Sequence, residues 1–176
     1  MRIIGGVHKG KNIHPPKGLT LRPTTDFAKE ALFNILNNKI DFEGIEVLDL
    51  FCGLGGISFE FASRGSNVNS VDENFNCLKF IKGTASDLKM NININKADVF
   101  KFLQKELKQY DLIFADPPYH LDNIPQIHEL VVQQKLLKQA GWLIIEHGPK
   151  TDLSQLSHFF EHRKYGNVNF SFFTIA

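Results

Sequence analysis

Val47-Leu48-Asp49-Leu50-Phe51-Cys52-Gly53-Leu54-Gly55-Gly56 begins as a buried strand and ends as a glycine turn. The strand runs from Glu46 to Leu50 and carries an acid, Asp49, inside an apolar run. The turn, Phe51-Cys52-Gly53-Leu54-Gly55, opens a helix that reads to near Ser63. Glycine allows a sharp bend and a close backbone approach to a ligand. Such a strand–turn–helix is where an open α/β sheet binds nucleotides. A plain βα connection has the same outline, so the neighbouring elements must decide.

Downstream, strands and helices alternate. Apolar patterning predicts a strand over 67–71, a helix over 75–88, a strand over 92–96 and a helix over 99–107. Leu78, Ile81, Ala85 and Leu88 mark one face of the first of these helices. Leu112-Ile113-Phe114-Ala115 reads as a further buried strand, 124–137 as a helix and 142–146 as a strand. This rhythm predicts a doubly wound, mostly parallel α/β sheet covered on both faces. At the end, strands over 162–165 and 168–175 flank Gly166-Asn167, a hairpin-turn signal. The sheet is therefore expected to finish in an antiparallel hairpin.

Upstream, residues 1–23 are rich in Gly, Pro and Lys and predict a short hairpin or arm. Arg2, Lys9, Lys11, Lys17 and Arg22 all precede the first acid, Asp26. Thr25 or Asp26 can cap a helix with Phe27, Ala31, Leu32, Ile35 and Leu36 on one face. The expected division is a basic arm over 1–24 and one domain over 25–176. A length of 176 residues suits that size.

The spacing of acids narrows the ligand. Asp72 ends the second strand about 20 residues past Gly53, where a carboxylate accepts a ribose hydroxyl. Asp98, with Val99 opening the next helix, is placed to accept from an adenine amine. A dinucleotide site needs Gly-x-Gly-x-x-Gly, and the third position here is Ser58. Asp49 beside the turn would repel a pyrophosphate but suits a cation. S-adenosylmethionine carries a sulfonium, an ammonium and no phosphate. Asp49, Phe51, Cys52, Gly53, Gly55, Asp72, Asp98 and Val99 are the expected cofactor contacts.

Asp116-Pro117-Pro118-Tyr119 supplies the acceptor chemistry. Proline cannot continue a sheet ladder, so the strand ends in a stiff turn. A carboxylate, a backbone carbonyl and an aromatic face then meet beyond the sheet edge. Two acceptors can hold the N–H groups of a planar amine while the ring stacks on its base. This predicts group transfer onto an exocyclic base nitrogen, with the four residues as catalytic candidates. A Pro-stiffened turn alone would be structural; the upstream cofactor pattern favours the chemical reading.

The formal charge of +1 gives no global pull toward nucleic acid or membrane. Two cysteines, Cys52 and Cys77, make neither a disulfide framework nor a metal pattern and fit a reducing cytoplasm. Met1-Arg2-Ile3-Ile4-Gly5-Gly6 is too briefly apolar for a signal peptide. No apolar run approaches the ~20 residues of a membrane helix. Neither a membrane nor a metal is expected.

The opening Met1-Arg2-Ile3-Ile4-Gly5-Gly6, then Lys9-Gly10-Lys11, resembles the bacterial small-subunit (16S) ribosomal RNA guanine-N2 methyltransferases. Arg22-Pro23-Thr24-Thr25-Asp26 with Glu30-Ala31-Leu32-Phe33-Asn34 carries the resemblance further. The glycine turn, Asp116-Pro117-Pro118-Tyr119 and Glu146-His147 follow in that family's order. Cys52 and Leu54 stand where the family usually has Ala and Ser, and Lys9 and Lys11 where arginines are common. The resemblance implies a Rossmann-like class I methyltransferase that uses S-adenosylmethionine. It implies a guanine N2 target in 16S rRNA, within the small ribosomal subunit or an assembly intermediate. Lys9, Lys11, Arg22 and Tyr119 would contact the RNA. The residues alone leave open an adenine-N6 methyltransferase on DNA and a non-catalytic RNA-binding protein on the same fold. An NAD-dependent oxidoreductase ranks last for want of a third glycine.

Overall fold

A computed structural model describes residues 1–19 and 25–175. Its strands are β1 (Glu46–Leu50), β2 (Asn67–Asp72), β3 (Ile92–Lys96), β4 (Tyr110–Ala115), β5 (Leu137–His147), β6 (Phe159–Tyr165) and β7 (Val168–Thr174). Its helices are α1 (Asp26–Leu36), α2 (Gly56–Ser63), α3 (Phe75–Asp87), α4 (Val99–Lys105) and α5 (Pro125–Gln133). The strands form one sheet in the order β3-β2-β1-β4-β5-β7-β6. β1 to β5 run parallel, and β7 pairs antiparallel with both β5 and β6. The order reverses between β1 and β4, and ligands of open α/β sheets bind beyond the strand ends at such a reversal.

Strand alternation sorts the core into two layers. Val47, Leu112, Phe114 and Ile144 face α1 and α2, packing on Leu32, Phe33, Phe61 and Ala62. Leu48, Leu50, Ile113, Ala115 and Ile145 face α4 and α5, packing on Leu103, Ile127 and Val131. α3 lies on the α2 side, where Leu78 and Ile81 pack with Phe59.

α1 buries Leu32 and Leu36 of its expected face, with Ile35 packed at the edge of the core, but is rotated so that Phe27 leaves it. Phe27 is exposed, and the buried residues are Ala28, Lys29, Leu32, Phe33 and Leu36. A pattern that counts apolar residues misses this face because one of its members is a lysine. The Lys29 ammonium donates to Glu60 Oε1 at 3.1 Å and to the Arg2 carbonyl at 2.7 Å. Those partners make its burial tolerable.

The N-terminal segment is a docked hairpin rather than a free arm. Arg2 bridges Asn12, and the side chains of Ile3 and Ile13 are buried. The hairpin lies along α2: Ile4 N donates to Glu60 Oε1, and Val7 N to the Ser63 carbonyl. Gly6 adopts φ +75, and a Cβ there would sit 1.9 Å from the Ser63 carbonyl oxygen. Only glycine permits that approach.

Two helices are shorter than expected. α4 stops at Lys105, two residues before the expected end, and the Glu106 carboxylate then takes the Leu107 and Lys108 N–H groups. α5 stops at Gln133 rather than reaching Leu137. Lys135 takes a left-handed φ of 54, and Leu136 N closes back on the Val131 carbonyl. That is a helix-ending turn made without glycine. Leu137 instead begins β5, whose pairing with β4 shifts register between Tyr110 and Leu112.

Candidate active site

The site is built where β1, β2, β4 and β5 end. Asp49 follows Val47 by two residues in β1 and so points to the α2 side. There its carboxylate accepts the Ser58 hydroxyl, which in turn touches Ser70 Oγ at 2.7 Å. Asp49 is 1% exposed and its partner Ser58 is 0% exposed, so Asp49 acts on the site through its charge. Burial, opposed by Ser58 and reinforced by Asp72, raises its pKa to about 7.

Asp72 fastens the glycine turn. Its Oδ2 accepts Gly53 N at 2.9 Å and its Oδ1 accepts Asn74 N at 2.8 Å. Each carboxylate oxygen can still take a hydroxyl donor. Phe51 sits at φ 58, a left-handed conformation unusual for a bulky residue, and stacks edge-on against Phe100. Such strain clusters at ligand-binding turns. Gly55 is required by packing: at φ +79, a Cβ would lie 2.7 Å from Ile81 Cγ1 of α3. Cys52 and Leu54 are buried, and burial followed by Asp49 raises the Cys52 thiol well above its ordinary range.

Asp98 caps α4, its Oδ1 accepting Lys101 N at 2.8 Å. The Val99 side chain belongs to the core, so only its backbone is placed for a ligand.

Asp116 lies one step past β4, where its N–H still reaches the Leu50 carbonyl at 3.2 Å. Strand alternation beyond Phe114 points its carboxylate to the α1–α2 side, where Asp49 also points. Glu146, two residues past Ile144 in β5, joins them there. Burial, then Glu146, then Asp49 hold the Asp116 carboxyl well above the usual carboxylate range. Glu146 is raised to about 7, chiefly by burial, with the Tyr119 hydrogen bond pulling it down. None of the ion pairs among the described residues involves Asp49, Asp116 or Glu146. Among those residues, three carboxylates therefore gather on one side of the sheet's end without a cation. A ligand carrying an ammonium and a sulfonium would supply that charge; a pyrophosphate would oppose it.

Pro117 is buried and Pro118 exposed, and Leu121 N closes the turn on the Pro118 carbonyl at 2.9 Å. The Tyr119 hydroxyl donates to Glu146 Oε1 at 2.8 Å. Its ring rests on Gly148, where a Cβ would come within 3.1 Å of Tyr119 Cδ2. The residue is 44% exposed, which leaves surface for a base to stack on. Glu146 is the member that motif reading missed as a functional group. Its signal was an acid ending an apolar strand, the same pattern that marks Asp116. His147 is structural, its ring held between Ser171 Oγ and the Gly148 carbonyl.

The substrate candidates on the hairpin lie elsewhere. Lys9 and Lys11 are exposed at the hairpin turn, beside Ser63 at the far end of α2. α2 starts at the glycine turn, so roughly 10 Å of helix separates that end from the cofactor loop. Arg22 lies outside the described residues. Among the described residues no cluster of His, Cys, Asp and Glu could hold a metal, and no helix is long and apolar enough to cross a membrane.

Known proteins resemble this chain in sequence and fold. The family described as conserved hypothetical protein 95 matches residues 1–174. The ribosomal RNA small subunit methyltransferase D of Haemophilus influenzae is 32% identical, over 83% of this chain and 78% of its own. A hypothetical protein of Thermus thermophilus superposes with a TM-score of 0.85 at 22% identity, covering 99% of each chain. The 16S rRNA N2 guanine methyltransferase RsmC of Thermus thermophilus, solved with AdoMet and guanosine, superposes at 0.72 and 18% identity. It covers 89% of this chain and 45% of that one. These two structural likenesses bear on the fold alone. The match over residues 1–174 and the identity to a methyltransferase D together establish that the chain belongs to the conserved hypothetical protein 95 family, alongside the small-subunit ribosomal RNA methyltransferases D.

Proposed function

We propose that this protein transfers a methyl group from S-adenosylmethionine to the exocyclic N2 amine of a guanine in small-subunit ribosomal RNA. The observation that carries the reading is the cluster of Asp49, Asp116 and Glu146, paired with no cation among the described residues, beside Asp116-Pro117-Pro118-Tyr119 at the sheet's reversal point. S-adenosylmethionine, when bound, supplies an electrophilic methyl on a positively charged sulfur. The residues fit it: Asp72 has lone pairs for ribose hydroxyls, and Asp98 has a second carboxylate oxygen for an adenine amine. The field of Asp49, Asp116 and Glu146 favours the ammonium and sulfonium.

The amine lone pair is delocalised into the base, which makes it a weak nucleophile. Acceptance of its two N–H groups by the Asp116 carboxylate and the Pro117 carbonyl localises that lone pair and aims it. The barrier then falls through orientation and electrostatics, without a strong base before attack. The released proton passes to Asp116 or to water. Tyr119 stacks on the base, an interaction worth ~1–3 kcal/mol in comparable sites. A base inside a helix cannot reach this crevice, so the target is flipped or unpaired.

The substrate is the small ribosomal subunit or an assembly intermediate, and the exposed Lys9 and Lys11 meet its phosphates away from the catalytic crevice. Arg22, which precedes α1 in the chain, serves the same end. The test is methylation of small-subunit particles from cells lacking this protein, followed by mass mapping. One new N2-methylguanosine is the expected outcome. A new N6-methyladenosine, or no new methyl group, overturns the reading.

A further inference from the structure

Glu146 has one carboxylate oxygen in use and one with no partner. Oε1 accepts the Tyr119 hydroxyl at 2.8 Å, while Oε2 is buried and meets no hydrogen-bond donor among the described residues. The residue is 4% exposed, so bulk solvent does not satisfy it. Buried acceptors in folded proteins are nearly always satisfied, and an orphan asks for an explanation. Neighbouring groups do not provide one. The His147 ring is committed to Ser171 and Gly148. Among the described residues no lysine or arginine pairs with Glu146.

The position of the orphan oxygen supplies the explanation. β4 and β5 are adjacent and parallel, with Ala115 opposite Ile145. Asp116 and Glu146 are the next residues on each strand. They share a face and are close enough for Glu146 to be the main charge acting on Asp116. Adjacent strands lie about 4.8 Å apart, a spacing suited to two neighbouring atoms on one base edge. Guanine presents such an edge: N1–H and the N2 amine are adjacent donors. Adenine presents an acceptor, N1, beside its N6 amine.

From this geometry we infer that Glu146 is the specificity residue of the acceptor site: its Oε2 accepts the guanine N1–H while Asp116 and Pro117 hold the N2 amine. The inference rests on the amine-methylating reading above and adds the choice of base to it. Asp-Pro-Pro-Tyr by itself serves an adenine or a guanine amine. A second carboxylate beside it opposes the lone pair of adenine N1 and pairs with the N1–H of guanine. Tyr119 then has two tasks, stacking on the base and holding Oε1 so that Oε2 faces the site. A site built to pair a substrate donor discriminates strongly, because the wrong base leaves buried polar groups unpaired.

The test uses small-subunit particles assembled with 16S RNA carrying either guanosine or 2-aminopurine riboside at the mapped target. 2-Aminopurine keeps the reacting amine and replaces N1–H with an acceptor. The parent is expected to prefer guanosine by about a hundredfold or more in kcat/KM. Glu146→Gln offers an amide donor to the 2-aminopurine N1, so it should lose rate on guanosine and shrink that preference at least about tenfold. A merely structural role would lower both rates together; equal losses, or a parent without preference, overturn the inference. S-adenosylhomocysteine binding reports whether Glu146→Gln is folded. If it is not, Glu146→Asp decides: its shortened carboxylate should lose more rate on guanosine than on 2-aminopurine, and equal losses overturn the assignment. Failure of the parent on native particles as well would instead remove the methyltransferase reading beneath it.

Discussion

Glu60 and Glu146 are both buried glutamates on the same side of the sheet, and they have opposite surroundings. Glu60, 0% exposed, is saturated: Oε1 accepts from Ile4 N and Lys29 Nζ, and Oε2 from Arg64 at 2.6 Å. Arg64 also lies over the Phe33 ring at 4.1 Å. That network staples the hairpin, α1 and α2 into one body. Glu146 has a tyrosine hydroxyl on one oxygen and, among the described residues, nothing on the other, and it shares its crevice with Asp49 and Asp116. A buried charge whose partners are internal holds the fold. A buried charge whose partners are missing waits for a ligand, and its raised pKa records the wait.

The largest effect should come from breaking the saturated side. Glu60→Ala leaves Lys29 buried without its carboxylate and the Ile4 N–H without an acceptor. A loss of about 3–5 kcal/mol in unfolding free energy is expected, read from denaturant titration. A change below about 1 kcal/mol would mean that the staple is ornamental and the comparison fails.

Asp116→Ala should change S-adenosylhomocysteine affinity far less than methyl transfer, which falls at least about a hundredfold, or roughly 2.7 kcal/mol in barrier. Single-turnover assays on small-subunit particles measure it. Near-normal turnover would take the acceptor role away from the crevice.

Asp72→Ala sits between the two regimes, because Asp72 both fastens Gly53 and awaits the ribose. Calorimetry should show S-adenosylmethionine and S-adenosylhomocysteine weakened alike, by about 1.5–3 kcal/mol. Unequal losses would place Asp72 near the sulfonium instead.

The effect that is smallest per step, a slope with pH, sharpens the unpaired side. Asp49 is raised from 3.8 to about 7 in the folded protein, so the fold binds a proton there that the unfolded chain releases near pH 4. Between about pH 4 and 7 the folded state therefore holds more protons, and this contribution to stability declines as pH rises. Relative to Asp49→Asn, the ligand-free parent should lose at most about 1.4 kcal/mol per pH unit across that window. An opposite slope would mean that Asp49 already has a cation.

Much of this was legible in the residues. The βα alternation, the glycine turn at Gly53 and Gly55, the terminal hairpin around Gly166-Asn167 and the stiff turn at Pro117-Pro118 are local patterns, and each appears where its pattern lies. The misread elements had causes that a periodic pattern does not carry. The face of α1 depends on Lys29 finding Glu60, 31 residues away, which no periodicity contains. The end of α5 depends on Lys135 adopting a conformation that glycine usually marks. Lys9 and Lys11 read as RNA contacts with no position relative to the site; the hairpin runs along α2 and carries them to its far end.

By itself, then, the sequence determined the order of elements and the chemistry available at each strand end, because backbone propensity and hydrophobic period are set by near neighbours. Only the tertiary structure decided which acids meet. Asp49, Asp116 and Glu146 come from three strands, and register and alternation alone turn them to one face. Only tertiary structure, too, gave Glu60 its cations and, among the described residues, left Glu146 without one, because charge compensation depends on distance in space rather than along the chain.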